Sequence, residues 1–510
     1  MSFKKNILGL SLLLISDLLV GQKILVPDTY QSYSWDFNRL RDTTNNELNI
    51  HYSIKSTGTK FSILNPIVRI SYNSSLPYGQ NDGAVWRGKG YNAETHFGIA
   101  GTIGWFSYTF QPVIFTAENK DYQLIRLSQS ANKYNYQFAP GKIDWVQQFG
   151  DGNYTQFNLG QSEIKVSNWG AKIAIGTQNF TIGPASYYPI LMSNNAPGMP
   201  YLNIGTDGAQ NLKIKNTSLG RFESNLIFGR MIESEYFDDN SGNNNRYFNS
   251  VHLSYSPSFA RELSIGFNKV LYKQSRYWET KDLLALVHNE FNEVKIVNGD
   301  SIFSPNDFFD QMASVTLEWK FADKGFRVYG EYAVNDHSEK DLEPEHSRAY
   351  TLGFQKLFEF NNINLVLNYE HIVLSRNHTF RYRPEPSYYQ HYLSNQGYTN
   401  NGQIMGSATG TGGNADIIEI KFNRQPSNHT FGVFYRRTEY DKDYFITHDP
   451  DLKKHHIGMD YGINNYFEFQ NLILGQEFVY TNQYNRYFQE GNNKQNIYAA
   501  INLIYKLNEK

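Results

Sequence analysis

Histidines and aspartates crowd one short stretch of this chain. His448, Asp449, Asp451, His455 and His456 are residue types that ligate metals or shuttle protons. Their spacing fits no ligand template, and a solvated loop running into a strand accounts for them better. Asp238 and Asp239, ahead of Asn243, Asn244 and Asn245, offer oxygen ligands of the kind calcium takes, again without the spacing of a binding loop. Catalytic templates are absent: there is no G-x-S-x-G elbow, no H-E-x-x-H, no phosphate-binding loop and no cysteine. No segment sets an activated serine beside a histidine, as a membrane hydrolase requires. The chain is therefore read as no enzyme, with no metal and no cofactor.

Aromatic rings and amides are what the polar segments do offer. Rings can stack on apolar sugar faces, while Asn, Asp, Gln and Arg read hydroxyls; aromatic membrane belts use the same residues. Period-two alternation marks the elements that must carry these loops. Ile363, Leu365, Leu367 and Tyr369 point one way, and Asn364, Asn368 and Glu370 the other. Phe326, Val328, Tyr332 and Val334 repeat this against Arg327, Tyr329 and Glu331, as do Leu263, Ile265 and Phe267 against Glu262, Ser264 and Asn268. Phe431, Val433 and Tyr435 alternate with Thr430 and Arg436.

Residues 1–21 read as a secretory signal peptide: Lys4 and Lys5 precede an apolar run from Ile7 to Ile15, and Gly21 is a small residue at a cleavage point. That run is too short to span a bilayer. A mean hydropathy of −0.55 does not exclude a membrane barrel, because half of each strand faces a polar lumen. With 38 Tyr, 35 Phe and 7 Trp, 16% of the chain is aromatic, as girdled barrels require. A net charge of −2 supplies no polybasic footprint for nucleic acid.

The expected fold is all-β, a transmembrane antiparallel barrel of 16–18 strands over residues 46–510, with long extracellular loops and a few short helices. Residues 22–45, with a short helix at 34–41, form a periplasmic lead-in or plug. About twenty strand-like segments include 47–55, 104–116, 123–138 and 155–167. Tight turns at 257–260, 322–325 and 425–428 oppose long loops at 183–210, 232–246, 274–311, 375–414 and 440–454. Residues 280–295 are read as a helix capped by Thr280, because Leu283, Leu284, Val287, Phe291 and Val294 recur at helical spacing. Ile497, Ala499, Ile501, Leu503 and Tyr505 alternate in a final strand that resembles the sorting signal of outer-membrane barrels, although no aromatic ends the chain. Arg in place of Asn364 or Glu370 is expected to be tolerated by a wet lumen, unlike Arg in place of Leu365 or Leu367.

Two blocks exceed what a generic barrel needs, and a third, Gly-rich, accompanies them. The first runs from Tyr78-Gly79-Gln80-Asn81-Asp82-Gly83-Ala84-Val85-Trp86-Arg87-Gly88-Lys89-Gly90 to Gln111-Pro112. The second covers Gly160-Gln161-Ser162, Gly183-Pro184 and Ser193-Asn194-Asn195-Ala196-Pro197-Gly198. A third spans Gly397 to Gly413. Together they resemble the capsule assembly Wzi family. Ile182 stands where that family has Trp, Ala185 where it has Gly and Tyr201 where His is common; the N-terminal helical portion is shorter.

The resemblance implies an outer-membrane lectin that holds capsular or other surface polysaccharide to the cell, a monomer in outer-membrane lipid. A porin or uptake channel is the alternative. Under the lectin reading Asp82, Trp86, Arg87, Asn194 and Asn195 bind ligand or shape its site, Trp86 by stacking and Arg87 by a planar fork suited to an acidic sugar's carboxylate. Packing of the same blocks into the barrel is the competing role for these residues.

Overall fold

The computed structural model describes residues 40–41, 48, 50–52, 60–127, 131–286, 295–297, 300–302, 309–335, 347–377, 387–424, 429–448 and 450–507. Alternation becomes a closed antiparallel barrel of 18 strands. These are β1 Ser62–Asn73, β2 Gly90–Ile103, β3 Phe106–Phe110 with Val113–Ala117, β4 Tyr154–Asn158 with Glu163–Asn168, β5 Ala171–Gly176 and β6 Tyr201–Thr206 with Gln210–Ile214. They continue with β7 Thr217–Ile232, β8 Asn245–Pro257, β9 Leu263–Gln274, β10 Asp310–Phe321, β11 Phe326–Asn335 and β12 Arg348–Phe360. The last six are β13 Ile363–Val373, β14 Asn414–Arg424, β15 His429–Glu439, β16 Ile457–Phe469, β17 Leu472–Tyr484 and β18 Lys494–Tyr505. β18 pairs with β1, Ile501 opposite Ile70, so closure leaves no open edge.

Faces sort as the period requires. On β13, Ile363, Leu365, Leu367 and Tyr369 lie outward while Val366, Asn368, Glu370 and Ile372 are buried inside. On β11, Arg327, Tyr329 and Glu331 are buried inside. Tight connections such as 104–105, 215–216, 361–362 and 470–471 gather at one rim. Long ones, among them 74–89, 118–153, 177–200, 374–413, 440–456 and 485–493, gather at the other.

The lumen is filled. The described parts of loops 118–153, 177–200 and 374–413 fold inward and share one apolar core with the strands: Ile143, Ile182, Tyr188, Ile190, Leu191, Met199 and Tyr398 pack with Ile227, Phe248, Val270, Met312 and Ile372. Burial of each large side chain contributes about 1.5–3 kcal/mol. Polar wall residues then fix the plug's backbone. Glu370 accepts hydrogen bonds from the amides of Ser186 (2.7 Å), Tyr187 (3.0 Å) and Tyr188 (2.6 Å), and from the Tyr329 hydroxyl (2.7 Å). Glu331 accepts from the Ile190 amide (3.0 Å), Arg327 donates to the Pro184 carbonyl (3.1 Å), and Thr351 to that of Tyr188 (2.8 Å).

Several expectations are corrected. Segment 123–138 is no strand: where described it belongs to the inward loop, its alternating rings meeting other loops rather than lipid. Within 47–55, Ile50–Tyr52 pairs with Phe180–Ile182 of the plug and not with the barrel. Segments 104–116 and 155–167 each break in two, the first at Gln111-Pro112, where proline removes a ladder donor. Thr280–Leu284 is a 3-10 helix capped by Glu279 and Asp282 rather than by Thr280; residues 287–294 lie outside the described ones. Glu370 faces no water, so arginine has no room there. The signal peptide also lies outside the described residues, as does the turn at 425–428. From 22–45 only Leu40 and Arg41 are described, Leu40 buried against Leu357 and Val366.

Leu365→Arg and Leu367→Arg put a guanidinium against lipid at a cost of about 2–4 kcal/mol near mid-bilayer. Both are expected to lower the yield of heat-modifiable folded barrel, as is Glu370→Arg, which unseats the plug. Asn364→Arg, half-buried beside the 361–362 turn, should fold; equal yields from all four variants would show the faces are misassigned. Because the lumen is filled, planar-bilayer recording should show no steady conductance, whereas a constant pore current would mean that the loops vacate it.

Candidate functional site

All three sequence blocks converge at the long-loop end of the barrel. Gly83, at φ +62°, turns the first block so that its amide donates to the Asn194 carbonyl (2.7 Å). The Asn194 side-chain amide donates to the Asn81 carbonyl (2.8 Å), and that of Asn81 to the Tyr187 carbonyl (3.1 Å). Asn195 donates to the Ile404 carbonyl in the third block (2.9 Å). These asparagines are clamps between loops.

Arg87 is buried beneath them. Its guanidinium forms an ion pair with Asp82 and donates to both oxygens of Glu94 at 3.1 Å. Burial, only partly offset by Arg87, pushes the Asp82 carboxyl up to about 6. Trp86 donates through Nε1 to Asn119 Oδ1 (3.1 Å) and meets Phe149 edge-on at 5.0 Å. Gly88 leaves room for this contact, because a Cβ there would lie 3.0 Å from Asn119 Cα and Trp86 Nε1, close enough to push them by a few tenths of an ångström.

Above this floor lies a cleft of about 300 Å³. Trp86, Tyr122, Tyr136, Phe138, Trp145, Tyr440, Tyr487 and Phe488 line it, together with Asp82, Arg87, Asn195, Arg436, Asp441, Asp460 and Arg486. Tyr136 packs on Trp145 at 4.7 Å and donates to Asp441 Oδ2 at 2.5 Å. Burial pushes the Asp441 carboxyl up to about 7 against that bond. Arg436 is held by Asp460, Tyr78 and Gln80. Tyr487 and Phe488 both adopt left-handed backbone (φ +60° and +58°), a conformation that costs about 1–3 kcal/mol in bulky residues and clusters at ligand sites.

Asp82, Trp86, Arg87 and Asn195 thus line the cleft, whereas Asn194 sits behind it as a clamp. The planar fork of Arg87 is already occupied by Asp82 and Glu94. The rings from 118–153 and 485–488 escaped sequence reading; Tyr134, Tyr136 and Phe138 alternate like a strand, and only their irregular neighbours Asn132, Asn135 and Pro140 mark a loop. His455 and His456 do not gather metal ligands, and no group of metal-binding side chains occurs among the described residues. The positions departing from the family pattern are packed: Ile182 is fully buried, Ala185 nearly so, and the Tyr201 hydroxyl donates to Glu163 (2.7 Å).

Comparison with known proteins gives a consistent relationship. No curated protein matches the sequence. Among solved structures, Wzi, an outer-membrane protein involved in group 1 capsule assembly in Escherichia coli and described as a carbohydrate-binding β-barrel, superposes with a TM-score of 0.62 at 11% identity. The match covers 95% of this chain and 100% of that one. OccAB2 of Acinetobacter baumannii has a TM-score of 0.40 at 10% identity over 87% of this chain and 97% of its own. A BenF-like porin of Pseudomonas fluorescens Pf-5 gives 0.40 and 10%, over 88% and 99%. The family model of the capsule assembly protein Wzi matches residues 65–470. This outer-membrane barrel belongs to the capsule assembly Wzi family.

Proposed function

We propose that the protein binds capsular or other surface polysaccharide in this cleft and anchors it at the cell surface, as a monomer in outer-membrane lipid and without chemistry on the sugar. One observation carries the reading: an aromatic-walled cleft opens at the long-loop end of a barrel whose lumen is filled. A filled lumen suits surface capture and gives a porin nothing to conduct through. Rings at the cleft wall offer the stacking faces that sugars use, and the strained pair Tyr487 and Phe488 holds two of them in place. Family membership supports the same direction, as does the carbohydrate binding described for the Escherichia coli protein. In this reading Trp86 and Asn195 border the ligand, whereas Asp82, Arg87 and Asn194 shape the floor.

Deleting the gene is expected to shift polysaccharide from the cell-attached to the released fraction, and unchanged attachment would contradict the anchoring role. Trp86→Ala should fold, run with normal heat-modified mobility and bind about 2- to 10-fold more weakly, the loss of one aromatic contact worth about 0.5–1.5 kcal/mol. Arg87→Ala leaves Asp82 and Glu94 buried without their cation. A cost of about 3–5 kcal/mol is expected, read as lost folding yield rather than as a clean binding defect. A folded Trp86→Ala barrel that retains polysaccharide fully would move the site away from this cleft.

A further inference from the structure

The cations of the cleft are already engaged. Arg87, Arg436 and Arg486 face three lining carboxylates, Asp82, Asp441 and Asp460, so the lining carries no formal excess of positive charge. Arg87 is paired with Asp82 and Glu94, and Arg436 with Asp460. Arg486 donates to the Gln123 carbonyl (2.7 Å) and to the Tyr487 hydroxyl (2.5 Å), its guanidinium 3.9 Å from the Tyr487 ring centre.

Open hydrogen-bonding capacity lies elsewhere, on uncharged groups. His456 Nε2, Thr481 Oγ1 and Gln483 Oε1 line the cleft, are shut off from solvent and make no hydrogen bond of normal geometry, His456 and Gln483 lying close enough to interact with each other. His456 and Thr481 are only 7% and 4% exposed, so leaving their polar atoms without a partner carries a desolvation cost that a ligand's hydroxyl would relieve. His456 lies face to face with Tyr440, ring centres 4.3 Å apart. Burial lowers its imidazole to about 3, so it is neutral in any physiological medium and adds no cation.

Resting on the polysaccharide reading above, we infer that this cleft selects an uncharged sugar residue, whose hydroxyls meet His456, Thr481 and Gln483 while its ring stacks on the aromatic wall. A uronate carboxylate would enter beside Asp82, Asp441 and Asp460, where Arg87 and Arg436 are already paired with carboxylates and Arg486 is held by Gln123 and Tyr487, and an incompletely paired buried charge is the costlier arrangement.

The test uses the full-length detergent-solubilised barrel and the surface polysaccharide of its own host. That polysaccharide is presented before and after carbodiimide–borohydride reduction of its carboxyl groups. Binding is followed through intrinsic tryptophan fluorescence at low salt and at 0.5 M salt. Affinities within 2-fold before and after reduction, and at both salt concentrations, are expected. Thr481→Val and Gln483→Leu, with unchanged heat-modifiable mobility, should each weaken binding about 10-fold. Loss of binding upon reduction, or wild-type affinity in both variants, would overturn the neutral-sugar assignment alone. Failure of the wild type to bind either form would instead overturn the polysaccharide reading beneath it.

Discussion

One carboxylate organises the interior of this barrel. Glu370 stands on β13 with no solvent contact and takes the amides of Ser186, Tyr187 and Tyr188 in succession, with the Tyr329 hydroxyl completing its shell. A barrel wall normally faces water across its lumen; here it grips backbone. Three consecutive N–H groups pointing at one carboxylate fix the path of the loop as it enters the lumen, and Arg327, Glu331 and Thr351 hold it on either side. Once that loop is seated, its Ile190, Leu191 and Met199 complete an apolar core that neither loops nor wall could form alone. Charge-assisted bonds in a dry interior are strong when satisfied and costly when not, so the arrangement specifies one seating.

The plug in turn positions the outer surface. Asn194 and Asn195 follow the gripped segment and tie down the first and third blocks, so that Trp86 and Arg87 take their places beneath the cleft. The site is thus downstream of the lumen's packing. Residues deep in the barrel and residues at its mouth belong to one mechanical chain, which runs from Glu370 through 186–195 to Gly83.

How much of this was legible follows from the physics of each part. Strands such as β11, β13 and β18 announce themselves because lipid and interior enforce a period of two, and closure of β18 on β1 follows from the final alternating strand. The plug carries no period, and the expectation of a wet lumen concealed the role of Glu370. Segment 123–138 misled because Tyr134, Tyr136 and Phe138 alternate for a different reason, packing between loops. The D-G-A-V-W-R-G and S-N-N-A-P-G strings lie at the floor of the cleft and at the clamps behind it. Their individual roles depended on long-range partners, Asn119 for Trp86 and Glu94 for Arg87, that no local spacing reveals. The open polar atoms of His456, at the end of a long loop, and of Thr481 and Gln483, on β17, come together only in three dimensions.

The central claim is that a filled, rigid barrel presents one polysaccharide site formed by the loops that fill it. Hydrogen–deuterium exchange of the purified barrel, with and without its host's polysaccharide, tests this most directly. The account predicts added protection confined to 78–87, 122–147, 436–441 and 481–488, with the turns at 104–105 and 361–362 unchanged. Protection at those turns, or none in any cleft segment at saturating polysaccharide, would contradict it.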